Sequence, residues 1–141
     1  MTTDVRAGRP TGPLLPVLTQ GSATPRGERA TFRGLCYEPD RNAAVRTNIG
    51  LLNLRASGLR VVIEAFDSRE RPLGSFRGRL PARGFVQLDD IFRPVEAGPV
   101  AGGSAVVEAL EEGDFLSYAS VVRGPAAPAV DLFPEPPPAV R

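Results

Sequence analysis

The sequence contains no histidine. That absence removes the commonest general base, the Ser–His and Cys–His nucleophile pairs, and the usual nitrogen ligands of zinc and haem. Tryptophan is also missing and tyrosine occurs twice, which leaves too few rings for a sugar-binding platform. There is no lysine, so all 17 basic residues are arginine, the mark of a GC-rich coding bias. They face 16 carboxylates, for a net charge of +1. No global field draws such a chain to nucleic acid or to acidic membranes.

Cysteine occurs once, so no internal disulfide can form. The apolar setting of Cys36, GLCY, predicts a buried and inert thiol. Long hydrophobic runs are lacking too: no stretch approaches the ~20 apolar residues of a membrane span. The opening segment MTTDVRAGRPTGPLLPVLTQ places charges and two prolines before a brief apolar patch. It lacks the apolar stretch of a signal peptide, so with Met1 as the start, export by the usual route is not expected.

What is present is glycine and proline, 15 of each, concentrated at the ends and in turns. That favours many short elements over a few long helices. Residues 1–29 read as an extended N-terminal arm with one apolar island, Leu14, Leu15, Pro16, Val17 and Leu18, able to dock as an edge strand. Residues 125–141, PAAPAVDLFPEPPPAVR, read as a proline-rich C-terminal arm, extended and partly polyproline II, with Leu132 and Phe133 its only bulky groups.

Between the arms, in residues 30–124, the period is two. In Val45–Asn53, Val45, Thr47, Ile49 and Leu51 share one face, and Arg46, Asn48 and Gly50 the other. Leu59, Val61, Ile63 and Ala65 alternate with Arg60, Val62, Glu64 and Phe66. DSRERP reads as a hairpin turn. LGSFRGRL follows, with Phe76, Gly78 and Leu80 on one side. FVQL is a short strand, and LDDIFRPV changes character: Asp89 is placed to cap one helical or 3₁₀ turn that tucks Ile91 and Phe92 inward, ended by Pro94. EAGPVAGG reads as a loop. SAVVEAL and DFLSYASVV read as strands joined by EEG as a tight hairpin. With ATFRGLCYE this makes about seven strands, the pattern of a two-sheet antiparallel sandwich of immunoglobulin-like type. The predicted core is Phe32, Leu35, Ile49, Leu51, Val61, Ile63, Phe76, Leu80, Phe85, Val107, Phe115, Ala119 and Val121.

RTNIGLLNL, then VVIEAFDSRERPLGSFRGRLPARGFVQLDDIF, then VVEAL and DFLSYASVV occur in that order across residues 45–123. The series resembles an immunoglobulin-like β-sandwich module found, often in tandem, in large secreted bacterial proteins. That module carries an RTNxGLxN strand, a YDxxGxxLG hairpin, a GxxxQLxDxF corner and a final YASVVD strand. The resemblance implies a structural spacer with no catalytic residues and no cofactor, at a cell surface or in an extracellular assembly.

Two charged stretches stand out. Arg69, Arg71, Arg77, Arg79 and Arg83 surround a single Glu70, and Glu108, Glu111, Glu112 and Asp114 cluster in the second. One reading is head-to-tail packing, the basic hairpin of one copy meeting the acidic hairpin of the next. The plainer reading is two solvated hairpins whose charges keep strand edges from aggregating. Nucleic acid fits poorly, because Phe76 is the sole aromatic in the basic stretch and points to the core face. EEGD lacks the spaced pattern of a calcium loop. Asp89 and Asp90 read as cap residues rather than a catalytic pair. Ser117, Tyr118 and Ser120 share a strand with no base in view, and Tyr118 is suited to a buried bond to a loop carbonyl.

The expectation is therefore a non-catalytic sandwich with protein partners, copies of itself among them, engaged through the arms (Leu14, Leu15, Val17, Leu132, Phe133) and the charged stretches. The alternative is a virion or filament subunit, or a decoration protein, whose arms lace neighbours together. An enzyme would need a cleft of carboxylates with raised pKa values.

Overall fold

An extended strand with polarity of period two buries one face, and two such faces exclude water by packing on each other. The computed structural model describes residues 5–6, 9–10, 23–25, 27–39, 45–123 and 130–135. Among them are ten strands and no helix: β1 Val5–Arg6, β2 Arg9–Pro10, β3 Arg29–Tyr37, β4 Val45–Asn53, β5 Leu59–Phe66, β6 Pro72–Leu80, β7 Phe85–Leu88, β8 Val100–Ala109, β9 Phe115–Arg123 and β10 Val130–Leu132. β1 and β2 pair only with each other; the rest form two four-stranded antiparallel sheets, β10-β9-β4-β7 and β3-β8-β5-β6. The expected all-β sandwich is the fold, seven body strands with an eighth supplied by the C-terminal segment.

The core lies between the sheets. Phe32, Leu35, Ile49, Leu51, Leu59, Ile63, Phe92 and Phe115 are fully enclosed. Burying side chains of this size contributes about 1.5–3 kcal/mol each. Ile91 and Phe92 turn inward as expected, and Phe92 stacks on Tyr37 with ring centroids 5.8 Å apart.

Several expectations are corrected. Phe85 is 53% exposed. FVQL offers Phe85 with Gln87 on one face and Val86 with Leu88 on the other, and the pairing takes the wholly apolar face: Leu51 opposes Val86 and Ile49 opposes Leu88, which turns those two inward and Phe85 outward. Phe76 is only half-buried, because among the described residues no strand lies beyond β6 to cover it. β8 begins at Val100, inside the stretch read as a loop. EEG is no hairpin: β8 and β9 belong to opposite sheets, and residues 110–114 arch between them, held by Leu110 N–H on Arg60 O and Leu54 N–H on Asp114 O. Residues 91–96 form successive turns rather than a capped helical turn, and the Asp89 carboxylate accepts from Gln87 Nε2 instead. Cys36 is half-exposed, its Sγ 3.5 Å from Arg123 Nη2.

The strand VRTNIGLLN is central, between β9 and β7. Its polar side chains serve backbone. Asn53 Nδ2 donates to Ser57 O and Pro81 O, and its Oδ1 accepts from Arg55 N–H, so one side chain ties the β4–β5 bend to the β6–β7 turn at the end of β4. Asn48 Oδ1 accepts from Asp90 N–H at 2.9 Å.

Candidate functional site

Three surfaces bear on function: the flank where the chain ends attach, the opposite flank with its arginines, and the outer face of the β4–β9–β7 sheet. On the first flank, Thr24 exchanges two backbone bonds with Phe115 at the start of β9 (2.8 and 3.2 Å). Farther along β9, β10 pairs Val130, Asp131 and Leu132 with Val121, Ser120 and Ala119. Three residues beyond β10, Glu135 N–H donates to Thr31 O of β3, in the other sheet. The C-terminal segment thus straps the two sheets together. Leu132 packs against the core beneath it, while Phe133 remains exposed. Arg33 stands over this strap, with Nε on Glu135 at 2.7 Å and Nη1 on Glu70 at 3.0 Å.

Leu132 and Phe133 therefore sit on this chain's own body. Leu14, Leu15 and Val17 lie outside the described residues. Arg29 belongs to β3 and Thr24 bridges to β9, so the folded unit takes in residues before position 30, and through β10 others well beyond position 124.

The charged stretches are not two opposed patches. Glu111 pairs with both Arg60 and Arg55, Arg60 first, and the pairing holds its carboxyl below the usual range. Glu108 pairs with Arg29 at 3.4 Å. At the other end, the Asp67 carboxylate accepts from the N–H groups of Arg71 and Arg69 and from Arg71 Nε, and the Arg71 amide contributes most to lowering its pKa. This fixes the β5–β6 hairpin tip, where Glu70 takes a positive φ of 60°. Glu112 is also engaged, and Asp114 lies exposed on the arch. By contrast, among the described residues no carboxylate forms an ion pair with Arg69, Arg77, Arg79 or Arg83. Arg77 and Arg79 project from the solvent face of β6, opposite Val62 and Arg60.

The outer face of the β4–β9–β7 sheet carries an aromatic pair that the sequence reading missed. Phe85 and Tyr118 lie nearly parallel, 7° apart with centroids at 6.3 Å, and Tyr118 OH donates to Gln87 Oε1 rather than to a loop carbonyl. The ring of Tyr118 lies across Gly50, where a Cβ would fall 2.2 Å from it. A glycine in mid-strand is the signal for such a close approach. β10 had its own signal, the short VDL alternation between proline clusters.

Asp90 is the carboxylate pushed above its usual range, first by burial, against the pull of Arg93 and Arg46. Its φ is 56° and its Oδ1 is buried without a hydrogen bond. Ser117 Oγ is likewise buried and unpartnered. Among the described residues no group of three His, Cys, Asp or Glu side chains is placed to hold a metal, EEGD included, and no helix is long and apolar enough to cross a membrane.

No protein-family model matches the sequence, and no curated protein does. Among solved structures, the fold is similar to the crystal structure of Thermotoga maritima 1070, at 10% identity and a TM-score of 0.59, over 76% of this chain and 91% of that one. The Anabaena sensory rhodopsin transducer is also similar, at 20% identity and a TM-score of 0.47, over 63% and 92%. At such identities the first likeness is one of fold, and neither transfers a residue's role.

Proposed function

We propose that this chain is a non-catalytic β-sandwich module that acts through protein–protein assembly, its partners being other proteins and copies of itself. The supporting observation is how the chain ends are held. Thr24 and β10 are both added to the edge of β9 through backbone pairing, with Phe133 left exposed on the strap. An edge that accepts extended chain by main-chain bonds accepts it from a neighbour on the same terms. The cell-surface or extracellular setting rests on the resemblance of residues 45–123 to tandem bacterial modules. A virion or filament subunit, or a decoration protein, is the other assembly such arms would serve.

Sedimentation velocity over a wide concentration range tests the reading. The full chain should sediment above its 15.0 kDa mass. Removing residues 1–22, which keeps Thr24, together with Phe133→Ser, should shift it towards monomer without changing its circular dichroism. A monomer at every concentration, with and without these changes, overturns the proposal.

A further inference from the structure

Among the described residues, the flank opposite the strap carries no further strand. It is made by β6 and β7, each hydrogen-bonded there to one neighbour, β5 and β4, with Val95 packed over Gly74 at one end of β6. β7 has four residues, but β6 has nine. Among the described residues, no backbone bond reaches residues 72–80 except from β5. A strand edge of this length is a template for another strand.

Two features say what kind of strand fits. On the solvent face, Arg77 and Arg79 are exposed and have no ion pair among the described residues, whereas Arg29, Arg33, Arg55, Arg60 and Arg71 each have a carboxylate within the chain. On the inner face, Gly74, Phe76 and Gly78 are only half-covered, and Val86 and Leu88 of β7 are half-covered beside them. The first row favours carboxylates directly across from it, and the second favours apolar side chains; on a strand these two demands alternate. The same arginines disfavour a second copy of β6, since antiparallel self-pairing brings like charges together.

Resting on the assembly reading above, we infer that the β6 edge is a strand-addition site for an extended segment of a partner protein that alternates acidic and apolar residues. The partner's main chain pairs with β6, its carboxylates meet Arg77 and Arg79, and its apolar side chains close the flank over Phe76 and Gly78. Backbone pairing supplies the affinity and the two arginines the choice of partner.

The test uses the full chain and a fluorescein-labelled peptide about as long as β6, alternating Glu and Val, N-methylated along one edge so that it cannot stack on itself. A Lys–Val peptide of the same design is the control. Fluorescence anisotropy should show binding of the Glu–Val peptide alone, and hydrogen exchange should show new protection within residues 73–79. Arg77→Glu with Arg79→Glu, both exposed and outside the core, should weaken binding roughly tenfold or more and transfer preference to the Lys–Val peptide. Equal binding of the two peptides, protection elsewhere, or indifference to the charge reversal overturns the inference. So does concentration-dependent protection of residues 73–79 without peptide, which would assign the edge to a second copy. The truncations of residues 1–22 and Phe133→Ser leave this edge untouched, so failure here is separable from failure of the arm-based assembly.

Discussion

Thr47 of β4 holds the backbone of Cys36 in β3 from both sides: its Oγ1 donates to Cys36 O at 2.8 Å and accepts from Cys36 N–H at 3.3 Å. The two strands lie in opposite sheets, so one fully buried hydroxyl links the layers. It does so where the β3–β8 register slips between Leu35 and Cys36 and a ladder partner is missing. Thr47→Val keeps the shape and leaves both Cys36 groups without this partner at a part-buried site, which should cost about 1–3 kcal/mol in urea unfolding. Thr47→Ser keeps the hydroxyl and should cost about 1 kcal/mol. A larger loss in Thr47→Ser than in Thr47→Val would show that the methyl, not the hydroxyl, matters there.

Gly50→Ala should expel the Tyr118 ring, because the new Cβ would overlap Cε1. The expected cost is about 1–3 kcal/mol, with a changed tyrosine fluorescence spectrum. On a Tyr118→Ala background the same substitution should cost far less, so a double-mutant cycle reads the coupling directly. Additive costs would place the strain elsewhere.

The strap should depend on apolar contact more than on charge. Arg33 and Glu135 are 55% and 47% exposed at their side chains, so Glu135→Gln should change stability by no more than about 0.5 kcal/mol. Leu132→Ala should cost about 1–2 kcal/mol, since Leu132 packs on the core. Chemical denaturation of both variants at low and high salt checks the ranking; a larger, salt-sensitive loss for Glu135→Gln would reverse it.

Asp90 gives a pH dependence of defined sign. Burial holds its folded pKa above the unfolded value of about 3.9. The stability linked to this group is therefore full below the unfolded pKa and lost as pH rises through the folded one. Asp90→Asn removes the ionisation, and asparagine tolerates the positive φ. The variant should show a higher urea midpoint than the parent at pH 7, with the difference vanishing in acid. Asp67 and Glu111, lowered instead, have the opposite sign but are common to both proteins and cancel in the comparison. A lower midpoint at pH 7 would mean that the attraction of Arg93 and Arg46 outweighs burial.

Alternation alone determined most of the strands, because a period of two states which residues share a face without reference to any partner. Val45–Asn53 was legible to the residue. Partnership itself was not legible. In FVQL the large ring of Phe85 argues for one phase and the polar Gln87 against it, and pairing with Leu51 and Ile49 turned Phe85 out to meet Tyr118. EEG has hairpin residues, yet β8 finds its neighbours in β3 and β5 while β9 finds β4. A turn motif reports local backbone preference and carries no information about which sheet receives the next strand.

The candidate sites divide the same way. Clusters of like charge in sequence were open to two readings, opposed patches or plainly solvated hairpins; folding brought Arg29, Arg55 and Arg60 onto Glu108 and Glu111 and left Arg77 and Arg79 on the β6 edge without an ion pair among the described residues. The sequence by itself determined a histidine-free, two-layered β chain. Only the tertiary structure decided which edges are covered and which charges are left over, because both depend on pairings between residues far apart in the chain.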